Sequence, residues 1–229
     1  MSLLVNKYNY TKINRVDTEV GRRYLSPDGE KLPSVTTILE ATKSEESKQA
    51  LNEWRKRVGF AKAKEITAEA AGRGTRMHKF IEDYIKTGVV SDPGSNPYSK
   101  QSHGMAEAII QHGLSKCNEF WGTEVSLYFP KVYAGTTDLV GMHDGSPAIM
   151  DHKQTNKLKK REWIEDYFVQ LVAYALAHNE LYQTNIRKGV IFMCTADTIY
   201  QEFILEGSEF DNYTNKWYSK LESYYTKFL

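Results

Sequence analysis

The 229-residue sequence is poor in cysteine and proline, with two of the former, Cys117 and Cys194, and six of the latter. Two thiols cannot supply the four ligands of a Cys-only zinc site or an iron–sulfur cluster, so both are excluded. They allow at most one disulfide, and two free thiols in a reducing cytoplasm are the expected state. Long apolar runs are also missing. Nothing approaches the ~20 residues needed to cross a bilayer, and Met1 to Tyr10 carries no secretory-signal pattern, so no membrane association is expected and the expected location is cytoplasmic. Net charge is scarce too: 30 basic and 29 acidic side chains leave +1. That argues against a surface that coats a polyanion everywhere, while leaving room for a local basic groove. What is present is ordinary for a globular chain with a buried core, with 41% hydrophobic and 26% charged residues.

The near-neutral total hides an alternation. Residues 1–81 carry +6, residues 82–151 carry −5, the short run 152–161 (HKQTNKLKKR) carries +5, and residues 162–229 carry −5. Basic and acidic blocks side by side suit a metal-dependent enzyme acting on a phosphate polymer, although charge runs are more often solvated faces.

Tyr24 to Pro33 reads as a turn-rich connection, and Ser34 as a helix N-cap before Val35 to Leu39. Helical periodicity covers Ser47 to Lys64. Gly72 and Gly74 interrupt it, and a second helix starts near Thr75 and stops at Gly88. Ser91 to Gln101 is a loop, and a helix covers Met105 to Phe120. From there the period changes to two: Thr123–Phe129, Val132–Met142 and Ala148–Lys153 read as strands. A helix over 162–182, two strands at 189–194 and 198–205, and a last helix from about Glu209 complete the chain. The order predicts one α/β domain with a central mixed sheet flanked by helices and a helical N-terminal region. The expected division is an N-terminal extension at 1–32 and a domain at 33–229, helical over 33–120 with the sheet core beyond.

Asp144-Gly145 between two apolar runs is the strongest hairpin signal in the chain. An even loop centred on that pair sets Asp138 opposite Asp151, on one side of the sheet with Cβ atoms ~5 Å apart, and Lys153 points the same way. Facing carboxylates repel, so a plain structural hairpin would avoid them. A divalent cation with a preference for oxygen ligands removes the objection. A three-residue loop would instead send the two side chains to opposite faces.

These residues carry a family resemblance. Asp138 followed by Asp151-His152-Lys153 resembles the bipartite signature of the PD-(D/E)XK nuclease superfamily, and the flanking motifs are similar to its RecB-like branch. Gly74-Thr75-Arg76-Met77-His78, Gly135-Thr136-Thr137-Asp138 and Gln170-Leu171-Val172-Ala173-Tyr174 match its histidine helix, first-aspartate strand and Gln-x-x-x-Tyr helix. Pro33 to Leu39 with Trp54-Arg55 looks like the mitochondrial genome maintenance exonucleases and their stand-alone phage relatives. For a phage-encoded chain the location would be the host cytoplasm.

The resemblance implies a restriction-endonuclease-like core that hydrolyses phosphodiester bonds with one or two Mg²⁺ or Mn²⁺ ions. It implies metal contacts at His78, Asp138, Asp151 and the main-chain carbonyl of His152, with Glu82 and Glu124 as further candidates. Lys153 would orient or deprotonate the water, a general-base role that needs a lowered pKa. Gln170 and Tyr174 would position it. Arg73 and Arg76 near a helix start, and Lys157, Lys159, Lys160 and Arg161 after the catalytic strand, are candidate phosphate contacts. The implied activity is a DNA exonuclease on single strands or free ends in replication, recombination or repair, working with proteins of those pathways. The alternatives are a flap- or branch-cutting endonuclease, or a binding scaffold without catalysis. Retention of Asp138, Asp151 and Lys153 speaks against the scaffold.

Overall fold

The computed structural model describes residues 2–19 and 21–228. Asp144 and Gly145 both adopt positive φ, 46° and 73°, the type I′ geometry whose twist matches the strands it joins. The turn closes a hairpin of β5 (Tyr133–His143) and β6 (Ser146–Thr155), with pairs from His143↔Ser146 to Leu139↔Met150. The register is the one expected from an even loop.

Around this hairpin a five-stranded sheet assembles in the order β4-β5-β6-β7-β8, with β4 at Cys117–Phe129, β7 at Gly189–Thr195 and β8 at Tyr200–Leu205. Neighbours are antiparallel except β6 and β7. Parallel neighbours need a long crossover, here through α5 (Glu165–Tyr182). Every residue of β7 is buried, as its apolar Gly-Val-Ile-Phe-Met-Cys-Thr run requires of a strand covered on both faces.

Two cores flank the sheet. On one face α5, α6 (Gly207–Phe228) and α1 (Val35–Ala41) bury Phe168, Trp217 and Ile38. On the other, α3 (Phe60–Thr87) and α4 (Pro97–His112) bury Met77, Ile81 and Ile109. The architecture is α/β with a central mixed sheet flanked by helices. Among the described residues no helix is long and apolar enough to cross a membrane.

The structure departs from the sequence reading in the N-terminal half. Gly72 and Gly74 do not interrupt a helix: α3 runs 28 residues straight through them. A Cβ on Gly74 would lie 3.3 Å from Gln154 Cγ, so the glycine serves a close approach between α3 and β6 rather than a break. The break comes earlier, at Gly59 with φ 92°, between α2 (Glu45–Val58) and α3. Asn96 caps α4 through its side chain and Pro97 occupies the first turn, so the expected loop ends at Asn96 and the helix ends at His112 rather than Phe120. Cys117 to Phe120 belong instead to β4.

The turn-rich segment makes its turn at Pro27 to Gly29 as expected, but that turn joins two strands of a sheet the sequence reading lacks. β1 (Asn14–Thr18), β2 (Gly21–Leu25) and β3 (Lys31–Pro33) form a separate three-stranded antiparallel sheet. Its Tyr24 and Leu32, with Ile13 just ahead of β1, pack on Ala134 and Tyr128 at the end of the central sheet. Upstream, the Leu3 amide donates to Ile85 O at 2.9 Å, the Val5 amide donates to Phe120 O at 2.7 Å, and the Tyr10 hydroxyl meets His178 Nε2 at 3.0 Å. The first residues therefore strap across α3, β4 and α5.

Candidate active site

The β5–β6 ladder stops at Leu139↔Met150, one step before the two aspartates. Asp138 turns its carboxylate into the opening between the strands, where Oδ2 accepts the His152 amide at 2.7 Å. The two carboxyls do not form a ladder pair, but they line one cleft of about 650 Å³ together with His78, Lys153, Gln170 and Tyr174. The expectation that they share a side stands.

Because Asp138 sits in the gap, both helical layers reach it. From α3, His78 Nδ1 lies 3.5 Å from Asp138 Oδ2. On the α5 side, Lys153 Nζ stands 2.5 Å from Asp151 Oδ2 and donates to Gln170 Oε1 at 3.4 Å. Gln170 Nε2 in turn donates to the Tyr174 hydroxyl at 3.3 Å. One turn of helix thus presents an amide and a phenol in line with the lysine. Gly135 makes room for this, since a Cβ there would meet Tyr174 Cε1 at 2.7 Å.

Crowded charge in a desolvated place sets the protonation states. Burial works against ionisation of Asp138, yet His78, His152 and Lys153 together hold its carboxyl well below the ordinary range. Burial wins at Asp151, whose carboxyl is pushed up to about 6 despite Lys153, with repulsion from Asp138 adding to the rise. For His78, burial is outweighed by the Asp138 charge and hydrogen bond, and the imidazole rises to about 9. His152 falls to about 3, chiefly through burial. Lys153 is held above its ordinary value because Asp151 and Asp138 overcome its desolvation. That direction is opposite to the one a general base needs.

His78, Asp138 and His152 each offer a ligand atom within 4.8 Å of the others. His152 turns Nδ1 toward Asp138 Oδ2 at 3.9 Å, while its Nε2 is buried without a hydrogen-bond partner. Two imidazole nitrogens and a carboxylate oxygen suit a divalent transition ion such as Mn²⁺, and the oxygens alone suit Mg²⁺. The residues fit a divalent cation. Sequence spacing does not reveal the imidazole of His152, because strand alternation points it away from Asp151. Phe192 stacks against it, with ring centroids 5.9 Å apart at 19°.

Glu82 and Glu124 also line the cleft. Glu82 is ion-paired to Lys86. Glu124 has φ 51° within β4, and desolvation followed by the Asp138 charge pushes its carboxyl up to about 7. The basic candidates sit elsewhere. Arg73 is buried, donating to Gln154 Oε1 at 2.9 Å and to Asn156 Oδ1, so its guanidinium is occupied in joining α3 to β6. Arg76 donates to Ser102 Oγ at 3.3 Å and lies beside the Tyr98 ring. Arg161 is bound to Glu209 and to Ile204 O. Lys157, Lys159 and Lys160 do not line the cleft. The cations that do, besides Lys153, are Lys12, Arg15 and Arg22. Their signal was the +6 of the first 81 residues, but without strands there was no way to aim them.

No family model matches the chain. It is 27% identical over 210 residues to "Mitochondrial genome maintenance exonuclease 1" of Xenopus tropicalis, across 86% of this chain and 58% of that protein. The protein of the same name from Homo sapiens is 25% identical over 207 residues, at 86% and 59%. The chain spans about three fifths of the length of these curated relatives. A crystal structure from Eubacterium rectale, described as a candidate exonuclease, superposes with a TM-score of 0.48 at 15% identity, over 68% of this chain and 64% of that one.

Proposed function

We propose that this chain is a divalent-metal-dependent nuclease of the PD-(D/E)XK type, RecB-like branch, acting as an exonuclease on single-stranded DNA or DNA ends. The observation that carries the reading is the convergence of Asp138, Asp151, Lys153 and His78 on one cleft. It is supported by similarity to proteins named as exonucleases over 86% of the chain. Residues 33–229 form the nuclease domain in this reading, and residues 1–32 add a wall to its cleft.

Asp138, ionised under the field of His78, His152 and Lys153, is the anchor for the cation, and His78, giving up its proton as the cation arrives, would complete the protein ligands with Asp151 and His152. A bound divalent ion would polarise the phosphoryl oxygen and lower the pKa of an attacking water. Lys153 is a charged donor at the site, held by Asp151 and Gln170 where it meets the phosphate or the water. Gln170 and Tyr174 fix its position. Glu82 and Glu124 stand at the periphery, where they can hold further waters.

End-labelled single- and double-stranded DNA incubated with Mg²⁺ or Mn²⁺ tests the reading. Progressive shortening of linear strands with circular single strands left intact is the expected result. Equal cutting of circles would make the protein an endonuclease. No degradation under any condition, or undiminished degradation by Asp151→Asn and Lys153→Ala, would overturn the assignment.

A further inference from the structure

The cleft holds four carboxylates, Asp138, Asp151, Glu82 and Glu124, opposed by Lys153 and by the three cations of the N-terminal segment. A polyanion needs that second group near the aspartates. Lys12 lies on the coil ahead of β1, Arg15 on β1 and Arg22 on β2. Cross-strand pairing sets Arg15 opposite Tyr24 and Asp17 opposite Arg22, so all four side chains share one face of the small sheet. Tyr24 ties that face to the central sheet through its hydroxyl, 3.3 Å from Thr136 Oγ1.

At the rim Asp17 already shows what the face binds. Its Oδ2 lies 3.1 Å from Arg15 Nη2 and its Oδ1 3.9 Å from Arg22 Nε, while its side chain stays 65% exposed. Two guanidiniums sharing an exposed carboxylate offer the donor set that a phosphate takes. A second hollow of about 440 Å³ shares Lys12, Glu82, Glu124 and Ser126 with the first. The two form one groove along β4, walled by the N-terminal segment.

We propose that the small N-terminal sheet is the seat of the DNA strand: Arg15 and Arg22 take successive phosphates beside the aspartates, Lys12 takes one further along the groove, and Asp17 competes with the strand for the two arginines. This rests on the nuclease reading and adds to it which surface holds the substrate. The basic run 157–161 has no part in holding the strand.

The test is binding without cleavage. Fluorescence anisotropy follows a labelled oligothymidylate of about 20 nucleotides on the Asp151→Asn protein in Mg²⁺ across a salt series. For a single strand, each phosphate held by a cation adds about 0.7 to the slope of log K against log salt. Adding Arg15→Ala/Arg22→Ala is expected to lower that slope by about 1.4, and Arg15→Lys/Arg22→Lys to keep it. Lys157→Ala/Lys160→Ala should leave it unchanged, and Asp17→Asn should tighten binding a few-fold. Should the double alanine variant melt early, Lys12→Ala, on exposed coil, reads the same effect with a drop of about 0.7. An unchanged slope in these variants, or a drop confined to Lys157→Ala/Lys160→Ala, overturns the proposal. If the protein without Asp151→Asn still degrades DNA in that case, the nuclease reading survives. If it neither binds nor degrades DNA, that reading falls first.

Discussion

The β5–β6 hairpin carries a buried polar cluster at each end, and both clusters hold a histidine among carboxylates and lysines. At the turn end His143 is fully buried, with its ring nitrogens 3.6 Å from Asp144 and 3.6 Å from Glu202. Glu202 is already occupied by Lys116 at 2.7 Å and by the Tyr200 hydroxyl at 2.8 Å, and Lys188 donates to His143 O at 3.1 Å. At the open end His78 and His152 meet Asp138 beside the cleft. One ring divides the two, since Phe192 lies 5.7 Å from His143 and 5.9 Å from His152. Burying charge is therefore not what makes a site. At the turn end Lys116 and the Tyr200 hydroxyl occupy Glu202, leaving the His143 ring without a hydrogen bond, and among the described residues no three ligand atoms gather there. At the open end charges converge faster than they can be neutralised.

The largest test of this contrast is catalytic. Asp138→Asn is expected to cost at least ~100-fold in DNA hydrolysis, about 3 kcal/mol of transition-state stabilisation. His143→Leu should stay within about 3-fold of the parent, because it lies outside the chemistry. Initial rates on an end-labelled strand separate the two. Comparable losses would erase the distinction between the clusters.

Next comes the response of stability to pH, measured in EDTA. His78 is raised to about 9 in the folded protein, above an unfolded value near 6.5. Its contribution is therefore full below about pH 6.5 and disappears as pH rises through 9. The melting advantage of the parent over His78→Gln should shrink across that window, by roughly 1–2 kcal/mol after solvent screening. Burial lowers His143 instead. The folded state then resists a proton that the unfolded chain accepts, so the parent should lose stability relative to His143→Leu as pH falls below about 6.5. If both differences move in one direction, the opposite electrostatics assigned to the two ends are wrong.

Smaller effects refine the open end. Tyr174→Phe removes the hydroxyl that Gln170 reaches, and should lower kcat about 3- to 10-fold with little change in melting. A drop in melting of more than a few degrees with kcat preserved would make the phenol a packing residue. Smallest of all, His143→Leu at pH 8 should change stability by no more than about 1 kcal/mol, because both ring nitrogens lack hydrogen-bond partners. A loss above ~3 kcal/mol would show that the turn-end contacts at 3.6 Å hold the hairpin together.

How much of this was legible in the sequence follows the range of each signal. Asp144-Gly145 is a local signal, and it located β5, β6, their register and the shared side of Asp138 and Asp151. The 3.6-residue spacings of Gln170/Tyr174 and His78/Glu82 are local as well, and all four side chains reach the cleft. Gly72 and Gly74 misled because the close approach that Gly74 serves lies 80 residues away, against Gln154. Arg73 looked like a free cation for the same reason, since its partners Gln154 and Asn156 are distant in sequence. The small sheet went unseen because β1 and β2 are short and carry charged side chains, with β1 exposed at four of five residues and β2 burying only Tyr24, so neither shows apolar alternation. With it went the only view of where Lys12, Arg15 and Arg22 point.

Helix α3, continuous through its two glycines, has a mechanical consequence. Its last turns are fixed in the core by Met77, Ile81 and Ile85, while the stretch from Phe60 to Gly72 buries only Ala63, and neighbouring α2 buries nothing. From Phe60 to His78 is about 27 Å of rigid rod at 1.5 Å per residue. The fulcrum is the clasp of Arg73 on Gln154 and Asn156, about one and a half turns from His78. A sideways push at the exposed tip is therefore resisted by the clasp and by the buried turns beyond it, so the imidazole beside Asp138 keeps its place. An unbroken rod lets the buried turns hold the solvent-exposed arm at a fixed angle to the cleft, which a hinge at Gly72 or Gly74 would have released.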